Sequence, residues 1–145
     1  MNLATLLENS AKRLPRHVAI RFEDQEITYG ELNQRVQAFA RGISSLGLAY
    51  GDRCILMMQS SLDFVTAYYA LARMGVAIVP VNFLYKSHEL SHIFQDSGAK
   101  GFIGMHPYLE EPRKILTDLR FVMCTLKDFH HFIPTLRDPV FPVRL

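Results

Sequence analysis

Three short apolar runs, each followed by a segment with helical spacing, constrain the fold of this chain more than any other feature. Residues 54–58 read Cys-Ile-Leu-Met-Met, residues 76–81 read Val-Ala-Ile-Val-Pro-Val, and residues 100–105 form the third run. Near-continuous runs of this length are what strands covered on both faces require. Behind the first, Ser60 or Ser61 is placed to cap a helix carrying Phe64, Val65, Tyr68, Leu71 and Ala72, which closes at Gly75. Behind the second, Ser87 opens a short helix with Leu90, Ile93 and Phe94 inward, which closes at Gly98. A helix near residues 108–118 then leads to a fourth strand at Phe121–Thr125. Strand and helix alternating in this way predict right-handed parallel crossovers, hence an α/β fold with a doubly wound parallel sheet and crossover helices.

The segment before these runs reads differently. Leu3, Leu6, Leu7, Ala11 and Leu14 recur at helical spacing until Pro15 stops the pattern. Two β-prone pieces, residues 17–22 and 26–28, flank the turn-like Glu23-Asp24-Gln25. Thr28-Tyr29-Gly30-Glu31 has the form of a capping box, in which a hydroxyl satisfies an orphan amide and a glutamate three residues on reciprocates. Leu32, Val36, Phe39, Ala40 and Ile43 mark one face of the helix that follows, and Gly47 is placed to end it in the left-handed region.

Composition excludes several classes. The chain has 145 residues, and 49% of them are hydrophobic, which suits one packed domain and not a disordered tail. Sixteen Lys and Arg against fourteen Asp and Glu are scattered, not striped, so no nucleic-acid partner is expected. No apolar run reaches the ~18 residues of a transmembrane helix, and Glu8 interrupts the start where a secretion signal keeps an unbroken apolar core. Cys54 and Cys124 both fall inside apolar runs, which predicts buried reduced thiols and a cytoplasmic location.

Few residues carry recognisable chemistry. His88-Glu89-Leu90-Ser91-His92 satisfies the H-E-x-x-H pattern, in which two histidines one turn apart grip zinc and the glutamate acts as base. A zinc hydrolase also needs a third ligand. The extended pattern fails at Gln95 and Gly98, and Glu110 and Glu111 lie beyond an intervening strand. The competing and favoured reading is a crossover helix whose histidines face water. Residues 42–47 imitate the start of a P-loop, but Leu48-Ala49 stand where Lys and Ser/Thr would hold phosphate and magnesium. No G-x-G-x-x-G follows a strand and no G-x-S-x-G is present. His130-His131 are read as solvated loop residues. Asn82, Phe83 and Leu84 leave the carboxyl end of a strand, where α/β sheets place ligands.

Several motifs in register, spread from Leu3 to Gly104, resemble the adenylate-forming superfamily of acyl-CoA synthetases, luciferases and peptide-synthetase adenylation domains. Residues 28–32, Thr-Tyr-Gly-Glu-Leu, look like its first core motif, and residues 71–82, LARMGVAIVPVN, look like its second. Gly51-Asp52-Arg53 and Asp96-Ser97-Gly98-Ala99-Lys100 are similar in order and spacing. The run Val-Pro-Val-Asn-Phe-Leu-Tyr leans toward the fatty-acyl-CoA ligase branch, although Phe83 replaces a usual proline, and Arg73 and Met74 replace the usual Lys and Ala. The resemblance implies a parent reaction in which ATP and a fatty acid give an acyl-adenylate and pyrophosphate, after which coenzyme A takes the acyl group. ATP, magnesium and coenzyme A are the implied cofactors and substrates of that complete enzyme, and none is assigned to these 145 residues alone. The resemblance further implies that residues 1–127 form the N-terminal α/β part of the ligase domain. Residues 128–145 would be an irregular tail ending before the phosphate-binding loop. The chain is accordingly expected to be an N-terminal fragment, inert alone, with no catalytic residue of its own. In some relatives the loop matching Asn82, Phe83 and Leu84 lies near the coenzyme A adenine. Strand edges and apolar surface left open predict a homodimer. A truncated paralogue serving as a self-associating interaction module is the alternative reading.

Overall fold

A computed structural model describes residues 2–105 and 108–116 and, as a strand, Phe121–Thr125. Asn2 caps the first helix, α1 (Leu3–Arg13), by accepting from the Ala4 N–H at 3.1 Å, while its Nδ2 donates to the Ala72 carbonyl of a neighbouring helix. The strands β1 (Val18–Phe22) and β2 (Gln25–Thr28) pair antiparallel as a hairpin. Helix α2 (Tyr29–Ser45) starts from the expected capping box. Thr28 N–H donates to Glu31 Oε2 at 2.9 Å, and Glu31 N–H donates back to Thr28 Oγ1 at 3.3 Å. The Thr28 N–H first, then the Thr28 hydroxyl, which donates to the same oxygen at 2.9 Å, and the nearby Arg35 hold the Glu31 carboxyl below its ordinary pKa.

From residue 53 the predicted alternation is realised. The order is β3 (Arg53–Met57), α3 (Leu62–Met74), β4 (Ala77–Pro80), α4 (Ser87–Ser97), β5 (Gly101–Met105), the short α5 (Glu110–Arg113) and β6 (Phe121–Thr125). All four of these strands run parallel, in the spatial order β4-β3-β5-β6. Alternate residues of β3 face opposite ways and build two cores. Cys54 and Leu56 join Val36, Phe39, Ile43, Ala67 and Leu71 beneath α1, α2 and α3. Ile55 and Met57 join Leu90, Phe102, Leu109 and Leu116 beneath α4 and α5. Helices on both faces make the sheet doubly wound, as predicted.

Four local expectations need correction. On α1 the buried face is Ala4, Leu7 and Ala11, whereas Leu3, Leu6 and Leu14 are exposed, because small residues let the helix approach α3 closely. On α3 the buried residues are Leu62, Asp63, Thr66, Ala67, Ala70 and Leu71, while Phe64, Val65 and Tyr68 are only half-buried. This helix lies between the sheet and two other helices, so more than one face is covered. Strand β4 is half-buried at most and forms an edge among the described residues, which is where Pro80 is tolerated at its last position. Finally, α5 is one turn long with Pro112 inside it, shorter than the helix predicted over 108–118. The proposed tail 128–145, with His130 and His131, lies outside the described residues.

Candidate functional site

The strand order contains a switch point. From β3 the chain crosses to β4 on one side, and from β5 it proceeds to β6 on the other. Between β3 and β5 the connections therefore diverge at the carboxyl ends of the strands, the position where open α/β sheets bind ligands. Gln59 follows β3 there and Tyr108 follows β5. Gln59 Nε2 donates to Tyr108 Oη at 2.6 Å and bridges the switch point. Phe83, from the loop after β4, lays its ring against Tyr108 with centroids 4.9 Å apart and planes at 46°. Three strand-to-helix connections thus meet on one tyrosine.

The three residues singled out from the sequence separate here. Phe83 is half-buried against the second core and enters the site. Asn82 is a turn-former: its Oδ1 accepts from Leu84 N–H at 2.9 Å and its carbonyl accepts from Tyr85 N–H at 3.1 Å. Leu84 is 64% exposed. Nothing in the local sequence marks Gln59 and Tyr108 as site residues. The signal available for them was position alone, since each follows the carboxyl end of a strand at the switch point.

The loop is held on its far side by α5. Glu111 Oε2 accepts from the backbone N–H of Ser87, the first residue of α4, at 2.8 Å, and its Oε1 accepts from Lys114 Nζ at 2.8 Å. Lys114 first, and then the Ser87 N–H, hold the Glu111 carboxyl down at about 2. Glu89 is similarly occupied, accepting from Lys86 N–H at 2.8 Å.

That bond engages the glutamate of the H-E-x-x-H pattern. His88 and His92 are exposed and line an open depression of about 510 Å³ with Ser87, Ser91, Gln95 and Ile115. The glutamate that would act as base caps its own helix. Among the described residues no group of three or more His, Cys, Asp or Glu could hold a metal ion. Residues 42–47, the P-loop imitation, lie in the last turn of α2 and the bend after it. Cys54 is fully buried and its thiol pKa is pushed up by desolvation, so it carries no nucleophile. A second depression of about 360 Å³, between α2 and α3, contains Arg41 and Arg73, but the Arg73 guanidinium is paired with Glu8. Among the described residues, no helix is long and apolar enough to cross a membrane.

Comparison with known proteins agrees with the geometry. Residues 7–131 match the family described as AMP-binding enzyme. Over 98 residues, 68% of this chain and 3% of the relative, the sequence is 36% identical to surfactin synthase subunit 1 of Bacillus subtilis. Over 127 residues it is 33% identical to a long-chain-fatty-acid–CoA ligase of Yersinia pestis, covering 86% of this chain and 23% of the ligase. The fold superimposes on a Mycobacterium tuberculosis fatty acyl CoA synthetase with a TM-score of 0.81 and 27% identity, over 94% of this chain and 28% of that one. The chain thus spans less than a quarter of the length of these two sequence relatives and little more than a quarter of the mycobacterial synthetase.

Proposed function

Since the chain belongs to the AMP-binding enzyme family, we propose that it forms the N-terminal α/β part of an AMP-forming acyl-CoA ligase for fatty acids. In this reading the complete enzyme couples ATP, a fatty acid and coenzyme A, and the switch point between β3 and β5 receives the coenzyme A nucleotide. The observation that carries the reading is the Phe83–Tyr108 pair at the switch point, fixed by Gln59. Aromatic faces of this kind hold a purine by stacking, and the amide and hydroxyl beside them supply polar contacts that orient it. The fatty-acid branch is supported by the similarity to the Yersinia ligase and the mycobacterial synthetase.

Among the described residues no group of three or more His, Cys, Asp or Glu gathers that could by itself hold magnesium. No step is therefore assigned to it on this chain. Adenylation would be carried by other parts of the complete enzyme, and the 145 residues alone would not turn over substrate. ATP–pyrophosphate exchange tests that directly, since any exchange by the purified chain contradicts it. The edge of β4 and the exposed Leu3, Leu6 and Leu14 support self-association as a homodimer. A monomer across a concentration series would refute the dimer. A cytoplasmic location agrees with the free thiol of Cys54.

The site itself is tested by Phe83→Ala in the complete ligase. The apparent Michaelis constant for coenzyme A should rise about three- to tenfold, the loss of one stacked ring, while ATP–pyrophosphate exchange is unaffected. An unchanged constant would remove coenzyme A from this loop.

A further inference from the structure

We infer that Glu111 is a positioning residue, which docks the amino end of α4 onto α5 and so keeps Phe83 against Tyr108. The inference deepens the binding-loop reading above and rests on it for its functional meaning, although its geometry is independent.

The first amides of a helix have no intrahelical acceptor. In the connection from β4 to α4, the local acceptors are already committed. Asn82 Oδ1 takes the Leu84 N–H, and Glu89 takes the Lys86 N–H. The Ser87 N–H is instead satisfied from another element, 24 residues on, by Glu111. A carboxylate at that end of α4 also meets the positive end of the helix dipole. Lys114 holds the second oxygen of the same carboxylate and so orients it, and Glu110 Oε1 lies 4.0 Å from the same ammonium.

Two attachments therefore join the same pair of segments. Tyr108 meets Phe83, and three residues later Glu111 meets Ser87, four residues after Phe83. One ring contact alone would act as a hinge, leaving the loop free to rotate about it. The second contact fixes orientation as well as distance, which is what a stacking surface needs in order to present one face to a ligand.

The test uses the 145-residue chain and two variants, Glu111→Ala and Glu111→Gln. Glutamine keeps an acceptor oxygen for the Ser87 N–H, and alanine keeps none. Hydrogen exchange of the Ser87 amide should quicken at least tenfold in E111A and stay within about threefold in E111Q. The nuclear Overhauser contact between the Phe83 and Tyr108 rings should weaken in E111A only. Coenzyme A, titrated by NMR, should bind several-fold more weakly to E111A and within twofold of wild type to E111Q. Unchanged Ser87 exchange and ring contact in E111A would overturn the inference. If exchange and ring contact respond as stated but Phe83→Ala leaves the Michaelis constant for coenzyme A unchanged in the complete ligase, the positioning role stands and the binding-loop reading fails. Should E111A not fold, Lys114→Met gives the measurement in a folded background. Releasing the oriented carboxylate should speed Ser87 exchange severalfold, and unchanged exchange overturns the role.

Discussion

Lys100 Nζ lies 2.6 Å from Asp52 Oδ1 and joins the residues that immediately precede β5 and β3. The Asp52 side chain is only 7% exposed, and its other oxygen accepts from the Ala49 N–H at 3.0 Å. Backbone bonds reinforce the junction, from Ala77 N–H to the Asp52 carbonyl and from Lys100 N–H to the Arg53 carbonyl. Two sequence motifs 48 residues apart are thus one structural feature at the amino edge of the sheet, opposite the candidate site.

Removing the cation leaves a buried carboxylate with one partner fewer. Lys100→Met should destabilise the chain by about 1–2 kcal/mol. This is less than the cost of breaking a fully buried pair, because Lys100 is about half exposed and water replaces part of its contribution. Asp52→Ala should cost more than Lys100→Met, since the Ala49 amide also loses its acceptor. Urea unfolding of the two variants checks both the size and the order.

The capping box gives a second expectation. Thr28→Ala removes the hydroxyl that accepts from Glu31 N–H and should cost about 1 kcal/mol, while Thr28→Ser should stay within a few tenths of wild type. The midpoint of denaturant unfolding for the pair separates a capping role from a packing role of the threonine methyl. Equal losses in both variants would point to the methyl.

What the sequence made legible here was local. The capping box, the glycine ends of α2, α3 and α4 and the strand-helix alternation each depend on residues within one turn or one run, and all appear in the structure. The inward face of α4 was legible for the same reason: Leu90, Ile93 and Phe94 against exposed His88 and His92 is a simple two-sided pattern. It failed on α3, where a helix covered by both sheet and helices has no single apolar stripe to read. It failed on β4, because an apolar run looks the same at an edge as in the middle. Gln59 with Tyr108, Asp52 with Lys100 and Ser87 with Glu111 were not readable, since each pair forms only after crossovers bring distant segments together.

Gly104 shows how closely the second core is filled. A Cβ added there would lie 2.6 Å from one carbon of the Phe102 ring and 3.2 Å from Leu109 Cδ2. Phe102 is fully buried and cannot swing into solvent. Gly104→Ala should therefore destabilise by about 1–3 kcal/mol, the usual cost of overpacking. The double variant with Phe102→Leu should recover part of that loss, as measured by urea unfolding. No recovery would place the strain elsewhere.

Acid should act on the α4–α5 junction late. The Glu111 carboxyl is held at about 2, against an ordinary 4.5, chiefly by Lys114 and then by the Ser87 N–H. A carboxyl with a depressed folded-state pKa contributes fully above its unfolded value and loses that contribution as pH falls through the folded one. Ser87 protection should thus persist unchanged down to about pH 4.5 and fade between there and about 2. Carbon-13 titration of the Glu111 side chain should give a midpoint well below the ordinary 4.5. A midpoint near 4.5 would mean that the carboxylate does not hold the amide in solution.

The Phe83–Tyr108 contact can be measured apart from any ligand. Phe83 and Tyr108 are tilted rings 4.9 Å apart, within the range where aromatic pairs contribute about 0.5–1.5 kcal/mol beyond burial alone. A double-mutant cycle with Phe83→Leu and Tyr108→Leu isolates that coupling, because leucine keeps most of the apolar volume at both positions. Tyr108→Phe is the control: it keeps the ring and removes only the oxygen that accepts from exposed Gln59, so stability should change by less than about 0.5 kcal/mol. If the cycle gives no coupling, the rings touch without holding each other, and loop placement falls to the Ser87–Glu111 bond, the Asn82 turn and the packing of Phe83 on the second core. Coupling in the stated range, with a silent Tyr108→Phe, assigns loop placement to the rings and leaves the Gln59–Tyr108 bond to orient the tyrosine across the switch point.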